Sequence, residues 1–274
     1  MLDHSTVARL EEGRQATDLA EIAPESRRFA GGCAGRGTPG SWINNAVGIG
    51  LGGEIDPADI EALARWYQEN SIEPRVEICP YAHPSAMLAC ERAGFVLRNW
   101  ENVLYRPLDR SSTARSVVEP PAALVIREID KSDAGLVREY SRVSMSGFFP
   151  PGVTPGESDY ELSGRWARHP RAVCVAGLID GAVVGAGSLS MSAAGDVGSL
   201  AGLSVLPEYR RRGIQQALIA FRLNAAAERG ARLATIGSRP GAATERNVRR
   251  MGFQLAYTKA VIVRPGAGLV PQAG

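Results

Sequence analysis

The strongest periodic pattern in the chain is helical and begins at Ile214. Apolar residues follow at the spacing of one helix face, which predicts a buried stripe formed by Ile214, Ala217, Leu218, Phe221 and Ala225. Polar residues fall between them, and the pattern places Gln216, Arg222 and Glu228 on the outer face. The sequence therefore predicts an amphipathic helix directly after "YRRRG", residues 209–213.

Strand patterns precede and follow this helix. "RAVCVAGLI" and "AVVGAGSLSM" are joined by Asp180 and Gly181, a strong hairpin signal, and "GSLAGLSVL" is a third β-rich run. Upstream, "SDAGLVREYSRVSM" predicts a helix, followed by the proline and glycine loop "FFPPGVTPGESD". Downstream come strand "LATIG", a short helix "ATERNVRRM" ended by Gly252, and strand "QLAYTKAVIV". The predicted order is a strand meander followed by β-α-β-α-β.

Two motifs recur at one fixed distance along the chain. "ERAGF" (91–95) matches "RRMGF" (249–253), and "VLYRP" (103–107) matches "VIVRP" (261–265), both 158 residues apart. A shared offset indicates a duplicated domain. In the same register "LGGEIDP" lies over "YRRRGIQ", so Glu54 and Asp56 stand where the second copy has Arg212 and Ile214.

The repeat sets the predicted domain boundaries. The first domain is residues 1–109, and a polar, proline-ended linker covers residues 110–121. The second domain is residues 122–265, followed by a tail of residues 266–274. Only the second domain is predicted to carry the arginine loop.

Composition narrows the class of protein. Apolar residues make up 45% of the chain and charged residues 22%, as in globular proteins. No apolar run reaches the roughly 20 residues of a membrane span, and no signal peptide is visible, so we expect a cytoplasmic protein without a membrane partner. The four cysteines and three histidines form no metal-binding spacing. The cysteines are expected to be reduced and structural, with a single reactive thiol as the alternative.

Charge is distributed unevenly between the two predicted halves. Residues 1–109 hold 10 basic and 16 acidic residues, a net charge of −6. Residues 110–274 hold 21 basic and 13 acidic residues, a net charge of +8. Only the second half is therefore suited to an anionic ligand.

The arginine loop has the features of a phosphate site. A helix N-terminus presents backbone N–H groups without partners, and with the helix dipole these bind anions such as pyrophosphate. Gly213 is expected to let the backbone approach the phosphates, and Arg210, Arg211 and Arg212 to bond their outer oxygens. The alternative interpretation is a solvated basic turn.

These motifs resemble those of the GCN5-related N-acetyltransferase (GNAT) superfamily. Its acetyl-CoA loop has the pattern Arg/Gln-x-x-Gly-x-Gly/Ala. Residues 210–214 follow this pattern, and Gln215 stands where the superfamily has Gly or Ala. The preceding "LSVLPEY", the following helix, "RRMGF" and the β-α-β-α-β order also agree. The resemblance covers residues 122–265, and the repeat extends a weaker match to residues 1–109. It implies an α/β fold of two tandem GNAT-like domains, each a mixed, mostly antiparallel sheet flanked by helices, the first degenerate.

The resemblance also implies a set of cofactor-binding residues. The pantetheine arm of acetyl-CoA is expected to pair with the backbone of Leu203, Ser204 and Val205, and the Val205 N–H to polarise the thioester carbonyl. Arg250, on the short basic helix, is a further candidate to reach a phosphate. The residues expected to surround the pyrophosphate are Arg210, Arg211, Arg212, Gly213, Ile214, Gln215 and Gln216.

The usual acid and base of the superfamily have no counterpart here. Ala201 aligns with a glutamate that commonly acts as base, and Val248 with a tyrosine that commonly protonates the thiolate. Catalysis is then expected to rest on positioning and water. Glu157, Asp159 and Glu161 are candidates for binding a cationic amine, with an exposed helix cap as the alternative.

Three functions follow from these patterns. The first is an acetyl-CoA-dependent N-acetyltransferase acting on a small amine that the sequence does not identify. The second is an acyl-CoA-binding protein without turnover. The third, nucleic-acid binding by the basic half, is disfavoured because no basic surface interleaved with aromatic residues is evident. The sequence leaves the oligomeric state open.

Overall fold

A computed structural model describes residues 3–111, 113–149 and 153–272. Residue 112 of the predicted linker, residues 150–152 of the predicted proline and glycine loop, and both chain ends lie outside these ranges. Within them the helices are α1 (His4–Ile22), α2 (Pro57–Gln68), α3 (Pro84–Arg92), α4 (Ala134–Met145), α5 (Glu157–Arg168), α6 (Ile214–Glu228) and α7 (Ala243–Arg250). The strands are β1 (Glu25–Phe29), β2 (Gly32–Arg36), β3 (Asn45–Val47), β4 (Arg75–Ile78), β5 (Val96–Pro107), β6 (Val125–Glu128), β7 (Ala172–Ile179), β8 (Ala182–Met191), β9 (Val197–Val205), β10 (Leu233–Ser238) and β11 (Gln254–Val263).

The chain forms two compact units. The first unit contains Met1–Val103 and Leu255–Gly274, and the second contains Leu104–Gln254. In the first unit β1, β2 and β3 are antiparallel neighbours, β3 pairs parallel with β4, and β4 pairs antiparallel with β11. In the second unit β6, β7, β8 and β9 form an antiparallel meander, and β9 pairs parallel with β10.

The second unit confirms the predicted meander and hairpin. Asp180 and Gly181 join β7 to β8 with φ values of 51° and 80°, as the favoured two-residue hairpin turn requires. Helix α6 packs its apolar stripe into one core of the unit, which contains Ile214, Leu218 and Leu223. Helices α4 and α5 contribute to a second core with residues of β7 and β8.

The prediction for the outer face of α6 is wrong at two positions. Glu228 is exposed as expected, but Gln216 is only 4% exposed and Arg222 is fully buried. Both side chains reach backbone or amide partners inside the unit, which makes their burial possible without apolar character. The helical period was correct, but it does not show whether a long polar side chain points to water.

The repeat is visible in the element boundaries. Strands β4 and β10 begin at Arg75 and Leu233, and strands β5 and β11 begin at Val96 and Gln254. Each pair is 158 residues apart, as the two motifs predict. The compact units nevertheless differ from the predicted domains, because β11 belongs to the first unit and not to the unit formed by the rest of its copy. Its pairing with β4 and the packing of Ala260 and Ile262 account for this.

Two further expectations bear on the class of protein. No helix in the described ranges has the length and apolar character needed to cross a bilayer. Cys33, Cys79, Cys90 and Cys174 are buried and free of disulfides. Burial raises the pKa of the Cys79 and Cys90 thiols to about 12, which disfavours the reactive thiolate at these two positions.

A buried charge network occupies the interior of the first unit. The ammonium of Lys259 is fully buried and lies 2.9 Å from Glu12 and 3.1 Å from Glu77. Burial disfavours the ammonium, but the two carboxylates outweigh burial and raise its pKa above the ordinary lysine value. The Tyr257 hydroxyl donates to Glu12 at 2.7 Å, and the Asn45 amide donates to Glu77 at 2.8 Å. The network joins α1, β3, β4 and β11.

We expect Lys259→Met to lower the free energy of unfolding by about 3–5 kcal/mol, because it leaves the buried Glu12 carboxylate without a cation and Glu77 with Arg75 alone, at 3.1 Å. Arg264→Met is the matched control, because Arg264 pairs with Glu61 at 2.8 Å near the surface of the same unit. That change should cost about 1 kcal/mol or less. Urea unfolding of both variants measures the difference, and equal losses would contradict the buried network.

Candidate acyl-CoA site

The open edge of β9 is the first component of the site. Pairing between β9 and β10 runs from Val197 with Leu233 to Leu200 with Ile236, and no further pair joins these two strands among the described residues. Strand β9 continues to Val205, paired only with β8. The two parallel strands therefore separate after Leu200.

Backbone direction along β9 follows from its pairing with β8. The Leu206 N–H donates to the Val184 carbonyl at 2.9 Å, and Ser204 pairs with Ala186 in the same register. Because alternate residues of an antiparallel strand direct their N–H groups to opposite sides, that of Val205 points toward the open edge. Leu203 lies in the two-residue stretch of β9 opposite Gly187, where the pairing changes register. The Ser204 N–H points toward β8, and its side chain donates to the Ser144 carbonyl at 2.8 Å.

The loop after β9 leads to the start of α6, where the N-cap residue is a glycine. A 3-10 turn at Pro207–Tyr209 leads into Arg211 and Gly213, whose φ values are 61° and 76°. Gly213 is the N-cap of α6, and no side chain caps the helix. Within the described residues the first N–H groups of α6 thus lack a capping side chain, an arrangement that binds anions. The left-handed conformation of Arg211 is strained for a residue with a side chain, a feature that the sequence did not reveal.

The three arginines are exposed around this helix start. The Arg210 Nε donates to the Val205 carbonyl at 3.0 Å, which ties the loop to the end of β9. The guanidinium of Arg212 lies 5.7 Å from the centre of the Tyr209 ring. The three guanidinium groups give the uncapped helix end a concentration of positive charge.

The residues that begin α6 have separate roles. Ile214 is buried in the core and contributes only its backbone to the helix start. The Gln215 side chain accepts a hydrogen bond from the Asn247 amide of α7 at 2.5 Å. The Gln216 oxygen accepts from the N–H groups of Val117 and Val118, each at 3.1 Å.

The segment Ala114–Glu119 of the predicted linker lies along α6. Both backbone groups of Ala114 bond the Asn224 amide, at 2.8 and 3.1 Å. At the other end, a Cβ added to Gly213 would lie 2.8 Å from the Val118 carbonyl oxygen. Glycine is therefore required here by its φ and by this close approach, besides any approach to phosphate. Substitution of Gly213 would change the loop itself, so it is a poor test of ligand binding.

Helix α7 provides fewer cofactor candidates than its basic sequence indicates. Arg246 donates to the Gly241 carbonyl, and Arg249 pairs with Glu245 at 2.9 Å. Arg250 is exposed at the end of the helix. Val248 is fully buried in the core, so the position of the usual tyrosine holds an apolar packing residue.

The acidic candidates near α5 make local contacts. Glu157 pairs with Arg138 at 2.9 Å, and this contact lowers the pKa of the carboxyl. Asp159 accepts from the Gly156 N–H at 2.9 Å and so caps α5. Glu161 is exposed. The helix-cap interpretation therefore describes Asp159 well.

The corresponding region of the first unit differs chemically. Helix α2 is capped by Asp56, whose carboxylate accepts from the Ala58 N–H at 2.8 Å. An anion of the chain itself thus occupies the helix start. The hydrogen bond from Asn45 to Glu77 links β3 to β4, and Asn45 is the counterpart of Leu203 in the repeat. The first unit therefore lacks both the free helix end and the arginines.

A groove of about 520 Å³ lies beside the 3-10 turn and is distinct from the arginine loop. Its lining includes Leu206, Glu208 and Tyr209 but none of the three loop arginines. Glu139 in its wall pairs with Arg142 at 3.0 Å. The carboxylate is thus already paired within α4, and the groove is not the predicted phosphate site.

A sequence model of the acetyltransferase (GNAT) family matches residues 141–253. This segment contains β9, the arginine loop, α6 and α7. Among curated proteins, no match was found.

Solved structures with a similar fold align over most of the chain. A GCN5-related N-acetyltransferase from Kribbella flavida has a TM-score of 0.71 and 19% identity, covering 96% of this chain and 97% of its own. A tandem GNAT protein from the clavulanic acid biosynthesis pathway, without AcCoA, has a TM-score of 0.60 and 15% identity over 95% and 86%. A GCN5-related N-acetyltransferase from Sphaerobacter thermophilus has a TM-score of 0.58 and 19% identity over 82% and 75%.

At these identities the solved structures establish the fold, and the family match identifies the second unit. Residues 141–253 therefore match the GNAT acetyltransferase family, and the fold of the chain is similar to that of a tandem GNAT protein.

Proposed function

We propose that this protein transfers an acetyl group from acetyl-CoA to the amine of a small acceptor. One observation carries the proposal: the open edge of β9 leads directly into an uncapped helix start surrounded by three exposed arginines. An extended amide-containing arm suits the first feature, and a pyrophosphate suits the second. Acyl-CoA has both groups in one molecule.

In this proposal each part of the donor has a separate partner. The pantetheine amides bond the open backbone of β9, as an added strand would. The pyrophosphate accepts from the first N–H groups of α6 and from Arg211 and Arg212. Arg210 also holds the loop against Val205 through its carbonyl.

The chemistry rests on the backbone and on positioning. The acceptor nitrogen attacks the thioester carbonyl carbon, and the carbonyl oxygen becomes an oxyanion that accepts from the Val205 N–H. The carbon–sulfur bond then breaks, CoA leaves as the thiolate, and water takes the proton of the amine. Ala201 and Val248 have no ionisable group, so neither supplies an acid or a base.

The second candidate is an acyl-CoA-binding protein without turnover, which the same two residues favour. A panel of small primary amines incubated with acetyl-CoA separates the two functions. Enzyme-dependent release of free CoA thiol with at least one amine supports the transferase. Tight acetyl-CoA binding without thiol release supports the binding protein.

We expect Arg211→Gly to stabilise the protein but to weaken acetyl-CoA binding. Glycine relieves the left-handed strain at φ 61°, a gain of about 1 kcal/mol. The loss of one charge-assisted bond to phosphate should raise the Kd by about tenfold. Thermal unfolding and calorimetric titration measure the two effects.

Ser71→Gly is the matched control, because Ser71 is an exposed residue at φ 58° in the first unit. It should give a similar gain in stability with the Kd unchanged. An unchanged Kd in Arg211→Gly as well would mean that this arginine does not contact the donor.

We expect one acetyl-CoA to bind per chain. The α2 start carries the Asp56 carboxylate, which repels phosphate, and the first unit has no arginine triplet. Calorimetric titration should therefore give a stoichiometry near one. A value near two would show that the first unit binds the donor despite its acidic helix start.

We expect Tyr209→Phe to lower kcat by less than about tenfold, roughly 1.4 kcal/mol, because the mechanism needs no tyrosine acid. Turnover should rise with pH as the acceptor amine loses its proton. The turnover rate should not decrease at any pH up to about 9.5, the region in which an essential tyrosine acid would begin to lose its proton. A loss of more than about a hundredfold with acetyl-CoA still bound would identify Tyr209 as the acid.

A further inference from the structure

Arg222 lies at the point where β9 leaves β10. Its Nη1 donates to the Ser188 carbonyl of β8 at 2.8 Å and to the Ala201 carbonyl of β9 at 3.1 Å. Ala201 is the first residue of β9 beyond the last pair with β10. One guanidinium thus joins β8 to β9 at the start of the open edge of β9.

This guanidinium is buried without a counter-ion. Arg222 is fully buried, and no carboxylate in the described part of the chain forms an ion pair with it. Its Nη2 has no hydrogen-bond partner among the residues that the structure describes, and burial lowers the pKa of the side chain to about 10. An unpaired buried charge costs free energy that an apolar side chain of similar volume would not. The cost indicates a role other than stability.

The surroundings of Arg222 are fitted to it. A Cβ added to Gly187 of β8 would lie only 3.0 Å from the Arg222 Cζ, so the glycine makes room for the guanidinium. The pairing of β8 with β9 changes register between Ala186 and Ser188, which marks a bulge. Arg222 therefore bonds the strands at the bulge itself.

The carbonyls of the bulge are held from several elements. The Ser188 hydroxyl donates to the Ala201 carbonyl at 3.2 Å, beside Arg222. The Ser144 hydroxyl of α4 donates to the Gly202 carbonyl at 2.7 Å, and Gly202 has a φ of 58°. A bulge reorients the residues that follow it, here including Val205, whose N–H points to the open edge.

We propose that Arg222 is a positioning residue for acyl transfer, which fixes the β9 bulge and thereby aims the N–H group of Val205 at the thioester. The inference rests on the proposed function. Arg222 acts through β9 and touches none of the reacting atoms. A positioning role predicts a loss in kcat beyond any loss of stability, because misplacement by about 1 Å can cost about a hundredfold in rate.

The test compares Arg222→Met and Arg222→Lys with Arg229→Met. Arg229, the C-cap residue of the same helix, is the matched control. Each of the two arginines donates to the carbonyl four residues earlier at 3.1 Å, Arg222 to Leu218 and Arg229 to Ala225, but Arg229 pairs with Glu128 at the surface. We expect Arg222→Met to lower kcat by about a hundredfold with the KM for acetyl-CoA changed less than about threefold. Lysine keeps the charge but lacks the planar fork, so Arg222→Lys should lose about tenfold. Arg229→Met should keep the wild-type kcat.

Amide hydrogen exchange without ligand gives a second measurement that does not depend on turnover. In Arg222→Lys, exchange at residues 201–205 should accelerate by at least about tenfold, while the core of α6 stays protected. Folded variants with wild-type kcat and unchanged exchange overturn the proposal. Accelerated exchange with wild-type kcat overturns it too, because Arg222 then serves packing alone. If the wild-type protein turns over no amine, the proposed function fails, and the exchange result still decides whether Arg222 holds the bulge.

Discussion

The requirement that buried backbone groups find hydrogen-bond partners governs the architecture of the site. Strand β9 gives up its pairing with β10 after Leu200 and must satisfy its carbonyls in another way. Side chains do this at the bulge. Arg222 and Ser188 donate hydrogen bonds to the Ala201 carbonyl, and Ser144 donates one to the Gly202 carbonyl. The Val205 N–H, beyond the bulge, faces the open edge. The same interactions that keep the second unit folded thus leave this donor without a strand partner in β10.

The two copies of the repeat share an order of strand and helix but differ in the residue that caps the helix. In the second unit the helix after the open strand begins at Gly213 without a side-chain cap. In the first unit Asp56 caps the equivalent helix, and Asn45 bonds Glu77 across the neighbouring strands. In the first copy, side chains therefore form hydrogen bonds with groups whose counterparts in the second copy have no capping side chain among the described residues. The net charges of −6 and +8 of the two sequence halves agree with this division.

Features encoded in short sequence patterns could be predicted. The hairpin at Asp180, the helix at Ile214 and the 158-residue register depend on local spacing, and all are found in the structure. Features that depend on tertiary partners could not be predicted. A mid-helix arginine normally points to water, and nothing near Arg222 in the sequence identifies the carbonyls of Ser188 and Ala201 as its partners.

The place of β11 in the first unit could not be predicted for a similar reason. The motifs "VLYRP" and "VIVRP" show that β5 and β11 are equivalent, but not which strand each one pairs with. The positive φ of Arg211 could not be predicted either, because an arginine in the sequence does not indicate a left-handed conformation as a glycine does. Of the site, the sequence could predict the loop and the helix, whereas the bulge and its supports required the structure.

The central claim is that the open edge of β9 and the uncapped start of α6 together bind the acyl-CoA donor. Amide hydrogen exchange of the wild-type protein with and without acetyl-CoA tests it most directly. The account predicts slower exchange at Leu203, at Val205 and at residues 211–216 when acetyl-CoA is present, with no change at Asn45–Val47. Unchanged exchange along β9 with acetyl-CoA bound, or equal protection of the first unit, would contradict it.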